Sequence, residues 1–250
     1  MSKTEFYRTT LRSLADWDDF LLEESKLPGP RANLELVSVV ADEGTEAQFR
    51  HFLTFDAERF PANTPGEFLA VCGAVGLGRL LAQGDRSVLE TLRKCASDSR
   101  WRVREGVAMA LQRLGDVDMD RLLTEMARWS TGNYFEMRAA AASLCEPRLL
   151  NHEEHAKQTL ELLERITSSI AKATDRNTDE FRALKKGMGY CWSVAVAANP
   201  AAGIPMMNRW LATADKDIRW IMNENLKKKR LERINAGWVQ QSRLRLRNKR

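Results

Sequence analysis

A short pattern recurs along this chain at intervals close to the length of a helix pair. Trp101-Arg102-Val103-Arg104 and Phe135-Glu136-Met137-Arg138 each run aromatic, spacer, apolar, arginine. Four residues beyond each arginine stand Ala108 and Ala142, and seven beyond stand Leu111 and Cys145. Asp217-Ile218-Arg219 repeats the apolar–arginine step, with Asn223 and Leu226 at the same offsets. Leu184-Lys185 fits more loosely, with Gly189 and Trp192 following. Glu67 with Val71 and Ala74, and Arg31 with Glu35 and Ser38, read as degenerate copies. The anchors at 31, 67, 104, 138, 185 and 219 thus step by 36, 37, 34, 47 and 34 residues. One helical hairpin cannot bury its apolar face alone, so a period of this size calls for hairpins that stack. The small residues at the +4 position let neighbouring helices come close.

The apolar spacing is helical nearly everywhere, and no run alternates long enough to argue for a sheet. Helices are expected at about 4–24, 32–43, 45–56, 65–82, 85–97, 100–114, 118–129, 133–145, 153–173, 178–198, 201–213 and 215–234. Thr64-Pro65-Gly66-Glu67 reads as a capping box with proline at the first helical position. Thr45, Asp85 and Asp118 read as N-caps, and Gly44, Gly84 and Gly115 as helix stops. The fold expected is all-α: a right-handed α-α superhelix of about six hairpins over residues 1–234, followed by a basic tail over 235–250. No apolar stretch approaches the ~18 residues of a membrane span, so a membrane partner is not expected. The N-terminus lacks the pattern of a secretory signal. Cys72, Cys95, Cys145 and Cys191 are far apart within apolar patterns and suit reduced core thiols in a cytoplasmic protein.

Charge is distributed unevenly. Residues 215–250 hold 12 Lys and Arg against four Asp and Glu, whereas residues 1–214 hold 27 against 30. A basic segment of this kind points to an acidic partner, most often nucleic acid, or else to a solvated helix end. Arg219, Asn223 and Lys227 line one helical face at steps of four. Lys216, Lys227 and Arg230, with Arg243, Arg245 and Arg247 beyond, would give sequence-independent phosphate contacts. The repeat anchors Arg104, Arg138 and Lys185 extend the candidate nucleic-acid-binding set, which is therefore Arg104, Arg138, Lys185, Arg219, Asn223, Lys227 and Arg230. Each anchor arginine stands near a helix N-terminus, where its charge is unfavourable, so it pairs with an acidic group or faces a ligand.

The segment Asp98-Ser99-Arg100-Trp101-Arg102-Val103-Arg104-Glu105-Gly106-Val107-Ala108-Met109-Ala110-Leu111 resembles the second helix of a HEAT repeat. Residues 215–231 are similar to the last unit of bacterial HEAT-like repeat proteins, and the resemblance spans roughly residues 30–231. Among such proteins it points to the DNA alkylation-repair glycosylases and their non-catalytic, DNA-binding cousins. It implies a concave surface that binds a macromolecule: nucleic acid, or another protein given the acidic balance of residues 1–214. A glycosylase acting on alkylated bases would need an Asp beside exposed Trp rings, to steady an oxocarbenium ion and hold a cationic base. No motif of this chain supplies that Asp, so a catalytic residue is unknown and a non-enzymatic scaffold is the leading expectation.

Other clusters read as packing. Asp16-Trp17-Asp18-Asp19 reads as an acidic first turn with an anchoring Trp, and Trp129 has no Asp on its helical face. Trp101, Trp192, Trp210 and Trp220 read as core or inter-repeat wedges, with stacking on bases as the functional alternative for Trp210 and Trp220. His152 and His155 are three apart rather than four and lack further ligands, so no metal is expected. Gly73, Gly76 and Gly78 lie within an apolar helix, which points to close helix packing rather than a phosphate loop; Gly187 and Gly189 read alike. No cofactor is expected. Arg31 and Asn33 enter a helix after Pro28 and Pro30; Asn33 reads as its cap and Arg31 as a partner of Glu35.

Overall fold

A computed structural model describes residues 2–248. It is all-α, with no strand among the described residues. The helices are α1 (Lys3–Ser13), α2 (Asp18–Glu24), α3 (Leu34–Glu43), α4 (Glu46–Phe52), α5 (Pro65–Ala82), α6 (Leu89–Cys95) and α7 (Trp101–Val117) in a first compact unit, Met1–Val117. The second unit, Asp118–Arg250, holds α8 (Met119–Trp129), α9 (Tyr134–Leu144), α10 (Glu153–Lys172), α11 (Asp179–Ala198), α12 (Pro200–Leu211), α13 (Lys216–Leu226) and α14 (Lys229–Asn248). Glu67, Arg104, Arg138 and Arg219 fall in the first two turns of α5, α7, α9 and α13, while Arg31 precedes α3 and Lys185 lies further along α11.

In the first unit α1, α3, α5 and α7 lie side by side, and α2, α4 and α6 pack on α5 and α7. Helix α5 is the hub. Its residues from Gly66 to Gly78 are all buried, which explains why it is apolar on every side. It has the length and hydropathy of a membrane span, contrary to the reading of the bare sequence, but most of it is buried inside this unit. Three glycines bring its neighbours close. A Cβ at Gly78 would stand 2.3 Å from Cα of Ala110 in α7, and one at Gly76 would overlap the ring of Phe49 in α4. Arg102 of α7 reaches the fully buried Glu67 of α5 at 3.0 Å and also donates to the carbonyl of Gly29. Glu67 accepts from the backbone N–H of Asn63. Thr64 makes no capping bond and turns instead to the carbonyl of Pro61, so the expected box is not built.

The second unit has the same two-layer plan. Helices α9, α11 and α13 lie side by side, while α10 packs between α8 and α12, and α12 also meets α14. Other local readings hold: Thr45 and Gln48 form a capping box, Asn33 and Asp118 cap α3 and α8, and Gly84 takes a positive φ of 108° after α5.

Along the chain, the structure also departs from the expected helix boundaries. The segment 4–24 is two helices, because the chain turns at Asp16, whose carboxylate accepts from the N–H of Asp18. Gly115 lies inside α7 rather than ending it. The segment 215–234 breaks after Leu226, where the N–H of Lys228 turns back to the carbonyl of Asn225. The stretch beyond 234 continues as helix to Asn248, with a break in helical geometry at Asn235. Val239, Ser242 and Leu246 are its buried stripe, and residues 249–250 lie outside the described part.

The Gly78–Ala110 crossing leaves no room for a side chain. Gly78→Val is expected to lower the unfolding free energy by at least about 1–3 kcal/mol, the usual cost of an overpacked core, as measured by urea denaturation.

Candidate functional site

Most of the cations expected to bind a ligand are committed within the chain. Arg104, in the first unit, donates to the carbonyls of Asp98 and Ser99 and so closes the turn before its own helix. Arg138 is only 8% exposed and lies in the seam between α9 and α11, its Cγ 3.2 Å from where a Cβ of Gly187 would stand. Arg219 donates to the carbonyl of Leu246 near the end of α14. Lys227 is paired with Glu224. In the basic tail Arg243 donates to the carbonyl of Leu226 at the end of α13 and pairs with Glu232 at 2.8 Å. Arg219 and Arg243 thus place positive charge at two helix C-termini, where the macrodipole favours it.

Lys185 belongs to a clasp between α11 and the start of α13. Its Nζ lies 2.7 Å from Oδ1 of Asp217 and 5.0 Å from the ring centre of Trp220. Arg176, in the turn before α11, donates to Asp215 at 2.7 Å and to Asp217 at 2.8 Å. Asp215 also caps α13 through the N–H groups of Asp217 and Ile218. Burial pushes the Asp217 carboxyl up, but the hydrogen bonds from Lys185 and Arg176 outweigh it and hold the group below the usual carboxylate range. Asp215 is held low in the same way by Arg176 and the two backbone donors. Asp217 is the carboxylate beside the exposed Trp220, yet two cations already satisfy it. That is the wrong electrostatic setting for steadying a cation on a substrate.

A different group of side chains is left open. Tyr190 on α11 is 40% exposed, and its hydroxyl accepts from Arg230 of α14 at 2.7 Å. The Arg230 guanidinium stands 4.7 Å from the ring centre and Lys228 Nζ 5.7 Å from it. Lys186 is exposed one turn before Tyr190 on the same helical face. Among the described residues, Lys186, Lys228 and Arg230 have no salt bridge to a carboxylate. Trp220 is 37% exposed, and its ring edge lies 3.2 Å from where a Cβ of Gly189 would stand. Asn223, one turn further along α13, is half-buried and has no hydrogen-bond partner among the described residues. Of the expected set, the structure gathers Lys185, Asn223, Lys227 and Arg230 around the paired surfaces of α11 and α13. Lys186, Tyr190, Lys228 and Trp220 are additions. The readable signals were the Lys186–Tyr190 spacing of four and Trp220 beside Arg219, read first as a wedge with base stacking as its alternative.

The remaining clusters are structural. Trp17 is buried and donates to the carbonyl of Leu11, and Trp129 is buried in the core. Trp192, Trp210 and Trp238 donate to Thr167, Glu164 and Asn208. Trp101 is not core: it is exposed, with the Arg102 guanidinium 4.5 Å from its ring centre. Glu35 accepts from Thr4 rather than from Arg31. His155 contacts Asp120 at 3.1 Å, and no metal-binding group of three or more ligands occurs among the described residues. The four cysteines are free; burial raises Cys72 and Cys145 well above the usual thiol range and Cys95 to about 11, the opposite of an activated nucleophile.

A family model described as HEAT repeats matches residues 70–146, from within α5 to the end of α9. Over that stretch the chain is similar to HEAT repeats. No curated protein and no solved structure matches the chain.

The clasp has a pH signature. Carboxyls held low in the folded state contribute stability that is fully present above their unfolded value, near pH 4, and that is lost as pH falls through the folded value. Asp217→Asn is expected to lower stability at neutral pH and to flatten the acid limb of a stability–pH profile measured by denaturant unfolding.

Proposed function

We propose that this array of HEAT repeats is a non-enzymatic binding scaffold, and that the macromolecule it binds is nucleic acid, held by its phosphates on the surface of α11, α13 and the start of α14. The observation that carries the reading is the group of Lys186, Lys228 and Arg230 around Tyr190. Among the described residues these cations have no carboxylate partner, so their charge remains for a ligand. The aromatic ring and its hydroxyl hold two of them in place without neutralising them. Lys227, paired with Glu224, and the half-buried Asn223 flank the patch. Arg104, Arg138 and Arg219 have structural duties and stand outside the proposed contact. Repeat arrays offer long surfaces for such contacts, and phosphate binding of this kind is independent of sequence.

Binding to duplex and single-stranded DNA should be titrated against salt. Each phosphate contact contributes about 0.7 to 0.9 to the slope of log K against log salt. Combined Lys186→Ala, Lys228→Ala and Arg230→Ala substitution is expected to make that slope shallower by about 2–3 and to weaken binding whatever the sequence. Absence of binding by the wild-type protein near physiological salt would defeat this reading and favour a protein partner.

A further inference from the structure

We infer that the α11–α13 surface takes single-stranded nucleic acid in preference to duplex, by stacking unpaired bases on Tyr190 and Trp220; the inference rests on the function proposed above. Phosphate binding alone does not require aromatic exposure. Lysines and arginines on a plain helical face would track a duplex backbone equally well. Here two large rings are more than a third exposed and stand on neighbouring helices, next to the cations. A soluble protein gains by burying such rings, and Trp192 on the same helix is fully buried.

Glycine sets the position of Trp220. With no Cβ at Gly189, the ring lies against the α11 backbone, and Cβ of Glu224 comes equally close. Lys185 approaches the same ring while tied to Asp217, so the ring is braced by the clasp. Tyr190 is braced by Arg230 through its hydroxyl. Rings held in this way lose little conformational freedom when a base stacks on them. Asn223 lies one turn from Trp220 and has both amide groups free for a base edge.

The chemistry separates the two forms of nucleic acid. A duplex keeps its bases stacked on one another and hides the faces that the rings would cover. A single strand presents those faces, and each base stacked on an aromatic side chain adds about 1–3 kcal/mol of binding. Such stacking is tolerant of sequence because every base has a π-face.

Fluorescence anisotropy on the full chain should compare short labelled oligothymidine and oligouridine with a duplex of equal length. Tighter binding of the single strands is expected. Trp220→Ala should weaken single-strand binding by about 5- to 150-fold, the range that loss of one stacked base implies, and change duplex binding far less. Tyr190→Ala should weaken single-strand binding by a similar factor and duplex binding as well, because Arg230 and Lys228 lose the ring that holds them. Trp220→Phe keeps a ring at the Gly189 contact and should retain most of the affinity, which guards against a folding defect in the alanine variant. Intrinsic tryptophan fluorescence should be quenched by the single strands, and less so in Trp220→Phe. Equal or tighter duplex binding, or ring variants that bind single strands like wild type, would overturn the single-strand inference while leaving the phosphate reading intact. No binding to any of these probes would overturn both. The oligothymidine and oligouridine arms separate DNA from RNA.

Discussion

Close approach of neighbouring second helices is the constraint on which the rest of the structure depends. In the first unit α5 and α7 meet backbone to backbone at Gly78 and Ala110. In the second unit α11 receives Arg138 of α9 at Gly187 and Trp220 of α13 at Gly189. Stacked hairpins bury a continuous core only if these seams close, because interiors tolerate few voids. At Gly189 the same device also shapes the proposed binding surface. A side chain there would crowd the Trp220 ring and Cβ of Glu224, both 3.2 Å from where its Cβ would stand.

A second principle is how the chain uses its guanidinium groups. Arg100 donates to the carbonyls of Phe55 and Phe60, Arg102 to that of Gly29, and Arg176 to those of Ile170, Ala171 and Ala173. Arg219 and Arg243 serve the ends of α14 and α13. Arginine suits this work because its five donors form a rigid fork that can satisfy several loop carbonyls together. Positive charge counted along the chain therefore overstates the charge offered to a partner. What remains for a ligand includes Lys186, Lys228 and Arg230, whose hydrogen bond runs to a neutral hydroxyl, and the exposed Arg233, Arg245 and Arg247 of α14.

The repeat was legible because it is written in local terms. Apolar periodicity located most helices, Thr45, Asn33 and Asp118 marked the starts of α4, α3 and α8, and small residues at fixed offsets marked α7, α9 and α11. The C-terminal helix was less legible. Its buried stripe of Val239, Ser242 and Leu246 has helical spacing, but Arg243, Arg245 and Arg247 alternate with leucines and mimic a strand or a loose tail. Site residues were the hardest to read. Arg138 and Arg230 are the same residue type, yet one is enclosed by a helix seam and the other stands beside an exposed tyrosine.

The sequence by itself determined an all-α chain of paired helices, with HEAT-like spacing and a basic end. Helix period and capping act over a few residues and survive without knowledge of partners. Only the tertiary structure decided which cations are spent and which remain available. That choice depends on what lies across each seam: the carbonyls that claim Arg104, Arg219 and Arg243, the acids that claim Arg176, Lys185 and Lys227, and the aromatic rings that leave Lys228 and Arg230 charged and accessible. The contacts of Arg104 and Lys227 are local, but those of Arg176, Lys185, Arg219, Arg230 and Arg243 join residues 17 to 41 positions apart, which no local pattern encodes.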